Sequence, residues 1–221
     1  YSDLLLNAYS PGYAFLLKIC SRYNWGVYGL NIINAGIFSG GLIYFCKKLK
    51  DPLLGLVAAY PYLIIVVSMG YIIQASAIGI ILVGLTFYEN KNTKAFYLSI
   101  VIATMLHNSA FLCVLIPLVD RLRRIKRKSS LVSLSLLSSV FVILYIRYLG
   151  DYFASYYNSY FSQEIEAQGG FVKLLIMLMF AINFIILRNN FEFSKQQKNI
   201  LFSLSILSIS LFFFSLTIEA T

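Results

Sequence analysis

One side chain in this sequence is suited to moving a proton near neutral pH, and it lies where such groups are rare. His107 is the only histidine of the chain. It falls inside the apolar stretch 69–118, followed directly by Asn108, Ser109 and Ala110. An imidazole can take the proton of a hydroxyl as that hydroxyl attacks, or donate a hydrogen bond to a phosphate. The same stretch carries Gln74 in an otherwise apolar segment. An amide can orient a sugar hydroxyl or a phosphate oxygen, and its bland alternative is a hydrogen bond between helices. For His107 the bland alternative is a core histidine paired with a backbone carbonyl. Polar groups at membrane depth are costly, which favours the functional assignment for both. Asn108 and Ser109 could cap a helix beginning there, presenting N–H groups to an anion.

Lys18 and Arg22 stand one helical turn apart near the N-terminus and could hold a diphosphate; plain contact with lipid headgroups is the alternative. The rings of the aromatic loop 150–169, Tyr157 among them, are candidates for stacking on sugar rings, and a plain interfacial belt is the alternative. That loop also carries Asp151, Glu164 and Glu166, whose spacing does not define a paired-carboxylate hydrolase. No metal site is expected. The three cysteines, Cys20, Cys46 and Cys113, lie in apolar runs without a C-x-x-C pair, and a lone histidine gives no zinc pattern. No cofactor is expected either.

The elements that must position these groups are membrane helices. Residues are 59% hydrophobic and 12% charged, with mean hydropathy +0.77. A soluble domain is nearer one quarter charged, so the chain is expected to be an all-α polytopic transmembrane bundle. Residues 1–221 are expected to form a single integral membrane domain, a fragment trimmed at both ends. A helix of about three turns should follow Pro11, too short to span. Apolar spans are expected at 27–46, 71–88, 131–149, 171–187 and 200–218. Pro61 should kink or break the run 53–68. The run 95–119 is interrupted at His107.

The net charge of +9 sits in short loops between spans, so it indicates topology rather than nucleic-acid binding. Suppose 95–119 forms a helical hairpin or broken helix around His107 that returns to its own side. Then 14 of the 18 Lys and Arg residues share one face. A straight crossing there leaves almost no bias, and a third arrangement, with a re-entrant piece at 53–88, gives an intermediate one. The first is preferred, and it places His107 toward the outer side.

The stretch Ile73-Gln74-Ala75, the block His107-Asn108-Ser109-Ala110 and the element Pro11-Gly12-Tyr13 together resemble the EpsG/Wzy family of bacterial polysaccharide polymerases. The likeness covers roughly residues 8 to 120. It implies a multi-span enzyme of the bacterial cytoplasmic (inner) membrane. Such an enzyme joins sugar repeat units carried on undecaprenyl diphosphate at the outer face, for exopolysaccharide, capsule or O-antigen. It implies catalytic roles for His107 and Gln74, which carry over, and a substrate contact for Tyr13 of the Pro-Gly-aromatic element; Lys18, Arg22, Asn108, Ser109 and Tyr157 are substrate-contact candidates on the chemistry of the residues themselves. It also implies membrane lipid, a flippase and chain-length regulators as partners. Two positions depart from the family pattern. Ile73 stands where an arginine precedes the glutamine, and Ser10 where a glutamate precedes the proline. Isoleucine cannot imitate the bidentate contact of a guanidinium with phosphate. Two other functions are weighed against polymerisation: a flippase for lipid-linked sugars, and a non-catalytic partner of a polysaccharide export complex.

Overall fold

A computed structural model describes residues 10–124 and 168–219, and every regular element among them is helical. The chain parts into two compact units at Val114/Leu115. In the first unit lie α1 (Pro11–Arg22), α2 (Gly26–Cys46), α3 (Pro52–Ala59) with a π-helical continuation (Tyr60–Ser68), α4 (Ile72–Glu89), α5 (Thr93–Leu106) and a 3-10 turn (Asn108–Val114). In the second lie α6 (Leu115–Arg124), α7 (Gln168–Leu187) and α8 (Lys195–Glu219). The expected span 131–149, the loop 150–167 and Tyr157 lie outside the described residues.

Local chemistry sets the helix starts. Pro11 opens α1, where its missing N–H is no loss, and the Ala14 amide donates to the Ser10 carbonyl at 3.0 Å. Asp51 and Asn92 each accept the amide three residues on at 3.1 Å, capping α3 and α5. Ser194 and Gln197 bond reciprocally at 3.0 and 3.1 Å, a capping box at the head of α8. Pro61 acts where a kink was expected. It cannot donate to a carbonyl one turn back, and the chain widens into the π-helix Tyr60–Ser68.

Small residues set the packing of the first unit. Gly41 of α2 faces Gly79 of α4, and a Cβ added at Gly79 would lie 2.7 Å from the Phe38 Cα. The two backbones therefore touch, which only glycine permits. Tyr44 and Phe87 meet further along, with ring centroids 6.5 Å apart, so α2 and α4 run parallel. The segment 52–68 runs back alongside them. Its Ala59 and Val67 join Phe38, Leu42, Cys46 and Ala75 in one apolar core. α5 is antiparallel to α4: Tyr88 meets Phe96 at 5.1 Å, Gly84 meets Ser99, and Ala77 packs with Ala103 and Leu106.

This order gives the first unit two unlike ends. The ends of α2 and α4 and the start of α5 gather Lys47, Lys48, Lys50, Lys91 and Lys94. The starts of α2 and α4 and the end of α5 gather Gln74 and His107. Among the described residues, α2 and α4 are long and apolar enough to cross a membrane. α2, with 21 residues, extends about 31 Å. α5, with 14, extends only about 21 Å, short of a hydrocarbon core of about 30 Å. In the second unit α7 and α8 pack on each other, and Phe191 stacks between Phe184 and Phe193 at 6.2 and 5.3 Å.

Candidate functional site

The sequence Met105-Leu106-His107-Asn108 contains neither proline nor glycine, yet α5 stops there. The His107 amide makes the last bond of the helix, to the Ala103 carbonyl at 2.9 Å. His107 itself is extended, with φ −147° and ψ 118°. This backbone carries the chain off the helix axis, into the 3-10 turn whose Ala110 amide donates to the His107 carbonyl at 3.0 Å. The break expected at His107 is therefore present. The continuation differs from the expected second α-helix. Asn108 and Ser109 open a 3-10 turn, and α-helix resumes only at Leu115.

A helix that stops leaves its last carbonyls without amide partners. Here one of them is met from far along the chain: the Ser10 hydroxyl donates to the Leu106 carbonyl. Beside it the backbones of α1 and α5 touch. A Cβ at Gly12 would lie 2.7 Å from the Met105 carbonyl oxygen. Leu16, one turn further along α1, packs on the small-residue patch of Ala77, Ala103, Leu106 and Ala110. The structure thus joins the Pro-Gly-Tyr element to the histidine block, which are nearly a hundred residues apart in sequence.

The other expected residues are placed as follows. Gln74 is half-buried in the first turn of α4. The antiparallel register set by Tyr88–Phe96 and Gly84–Ser99, with Ala77 in one apolar cluster with Leu106 and Ala110, brings Gln74 level with the start of the 3-10 turn. His107 and Asn108 are half-buried, Ser109 is exposed, and Tyr13 is half-buried. Neither the His107 imidazole nor the Gln74 carboxamide has a hydrogen-bond partner among the described residues. Lys18 and Arg22 are exposed on a face of α1 that they share with Phe15, 63% exposed, and that is turned away from Leu16 and its contacts. They are not brought to His107. Neither forms an ion pair among the described residues. Tyr23, Trp25 and Tyr28 are exposed around the end of α1, as an interfacial belt would be.

Two residues escaped the sequence reading. Asn34 is 1% exposed on α2; its amide nitrogen donates to the Leu30 carbonyl at 2.9 Å, and its Oδ1 is buried without a hydrogen-bond partner among the described residues. The test that singled out Gln74, an amide inside an apolar span, would have found it. Ser10 was read only as the absence of an acid, and nothing local to residue 10 announces a bond to Leu106.

No group of three or more histidine, cysteine, aspartate or glutamate side chains able to hold a metal occurs among the described residues. None of the curated proteins and none of the solved structures matches this chain. A sequence model described as "EpsG family" matches residues 1–221. With that match, and with the histidine block and the Pro-Gly-Tyr element joined at one helix break, the chain belongs to the EpsG family, whose members act in polysaccharide biosynthesis.

Proposed function

We propose that this protein is a multi-pass enzyme of the bacterial inner membrane that extends a polysaccharide by joining lipid-linked repeat units at the outer face. The observation that carries this reading is the position of His107. It is a half-buried imidazole at a helix break, at the end of the first unit opposite five lysines. Basic loops stay on the cytoplasmic side, so the lysine-rich end is inner and His107 lies toward the outer leaflet. With the start of α5 at the inner surface of the bilayer, its length of about 21 Å supports a depth for His107 beyond the midplane of a hydrocarbon core of about 30 Å. Interrupted helices at that depth require protein or a wet cavity to satisfy the freed backbone, and such breaks serve as substrate sites.

In the proposed reaction the terminal sugar hydroxyl of an acceptor glycan attacks the anomeric carbon of a second glycan held on undecaprenyl diphosphate. The new glycosidic C–O bond forms as the bond from that carbon to the diphosphate breaks. The hydroxyl proton passes to a nitrogen of His107, and the lipid diphosphate leaves with the bonding electron pair. Gln74, level with the break, orients a sugar hydroxyl or phosphate oxygen. Asn108 and Ser109 line the same turn. Lys18 and Arg22 face outward, which suits capture of the lipid diphosphate at the bilayer surface rather than contact at the reacting carbon. Tyr13 and Tyr157 are proposed sugar contacts, flippase and chain-length proteins the proposed partners.

The family arginine is replaced by Ile73, and this favours a second reading, a non-catalytic member of an export complex. Polymer length separates the two. Cells lacking the gene and complemented with an active polymerase make long glycan ladders. With His107→Ala at equal expression they accumulate single repeats. A scaffold tolerates the substitution and the ladder stays long. A flippase defect instead leaves repeats on the inner leaflet.

A further inference from the structure

We propose that Ser10, aided by Gly12, is a positioning residue for His107: it holds the end of α5 open so that the histidine stays off the helix axis. The inference deepens the polymerase reading, because it concerns the same histidine. Its physical content is independent of that reading.

α5 stops without being forced to. Nothing in the residues 105–108 forbids a further helical turn. Had the helix continued, the Ala110 amide would donate to the Leu106 carbonyl. Instead that amide turns to the His107 carbonyl at 3.0 Å, and the Leu106 carbonyl receives the Ser10 hydroxyl. The serine therefore occupies the acceptor on which continuation depends. A carbonyl left bare in an apolar interior carries a desolvation penalty, so withdrawing the hydroxyl favours the helical alternative, which supplies an amide in its place. The Leu106 carbonyl belongs to the peptide plane that precedes the His107 Cα. Fixing it fixes one side of the φ rotation that makes His107 extended.

Gly12 makes the reach possible. The Ser10 side chain is short, and it meets Leu106 only because the backbone at residue 12 lies against Met105 with no Cβ between them. Pro11 between them locks φ, which leaves Ser10 little freedom to turn away. Unlike the other serines with side-chain hydrogen bonds to backbone on the helices of this unit, which return their hydroxyls to their own helices (Ser39 to Ala35, Ser76 to Ile73, Ser99 to Ala95), Ser10 gives its hydroxyl to a different element. The serine found where the family carries an acid thus has a structural use of its own.

Because the chain has one histidine, its backbone can be read directly. The full chain is purified in detergent with 13C- and 15N-labelled histidine, and the His107 Cα and amide resonances are recorded for wild type, Ser10→Ala, Ser10→Thr and Gly12→Ala. The expected result is an extended-type Cα shift in wild type and Ser10→Thr. It moves toward the helical value in Ser10→Ala, at a melting temperature unchanged within a few degrees, and also in Gly12→Ala, where the added Cβ meets the Met105 backbone and lowers the melting temperature as well. Superposition of the Ser10→Ala signal on wild type would overturn the proposal. So would a shift that comes only with general loss of the folded state. Polymer length measured on the same variants tests the other layer. A moved resonance with an unchanged ladder supports positioning while counting against His107 as the proton acceptor. A shortened ladder with an unmoved resonance overturns positioning.

Discussion

At the scale of the residue, the account rests on side chains whose polarity conflicts with their surroundings. His107 and Gln74 are half-buried at one level of the first unit without hydrogen-bond partners among the described residues, which suits the substrate contacts proposed for them. A positioned acid or base contributes about 10²- to 10⁴-fold to a rate. His107→Gln keeps a hydrogen-bonding group but not the titration, and should reduce repeat-joining in membrane vesicles by that factor. Gln74→Ala should cost less, about fivefold, as loss of one orienting hydrogen bond worth about 1 kcal/mol. Both are checked by the rate at which lipid-linked single repeats are consumed. Asn34 makes the contrasting case. Its Oδ1 is buried without a partner among the described residues, and its one bond goes to a carbonyl already used by the helix. Asn34→Leu removes a penalty of about 1–3 kcal/mol and should raise the midpoint of thermal unfolding in detergent. A lowered midpoint would show that the amide oxygen is satisfied by something else, such as substrate or water.

At the scale of the element, the two faces of α2 differ in a testable way. Gly41 lies backbone to backbone against Gly79, whereas a Cβ at Gly36 or Gly40 meets nothing within 4 Å. Gly41→Ala should destabilise the first unit by about 1–3 kcal/mol through overpacking, and Gly40→Ala should leave the unfolding midpoint in place. Much of this level was legible in the sequence. Pro11, Pro61 and the apolar run lengths gave the start of α1, the break in 52–68 and the limits of α2 and α4 to within a residue or two. The interruption at His107 was legible because three polar residues cannot continue an apolar span unmarked. The extent of the π-helix was not, since one proline removes one hydrogen bond and the remaining turns follow from packing. The Ser10 bond was not legible either. A helix end states that it needs a donor, but which donor arrives from 96 residues away is decided by the tertiary fold.

At the scale of the whole molecule, the claim is one of sidedness. Topology places five lysines at one end of the first unit and the helix break at the other, and a bilayer reads that asymmetry as inner and outer. Lys91→Cys should resist a membrane-impermeant maleimide in intact cells, and Asn24→Cys, in the exposed turn before α2, should react, in a chain whose native cysteines are replaced by serine. The reverse pattern would put His107 on the cytoplasmic side, where no outer-leaflet polymerase could use it. The most direct test of the central claim is the length of the glycan made by cells that lack this gene and carry it back as wild type or as His107→Ala. The account predicts a long ladder with wild type and single lipid-linked repeats with the alanine form at equal expression. Equal ladders from both would contradict it and leave His107 a structural residue at a helix end.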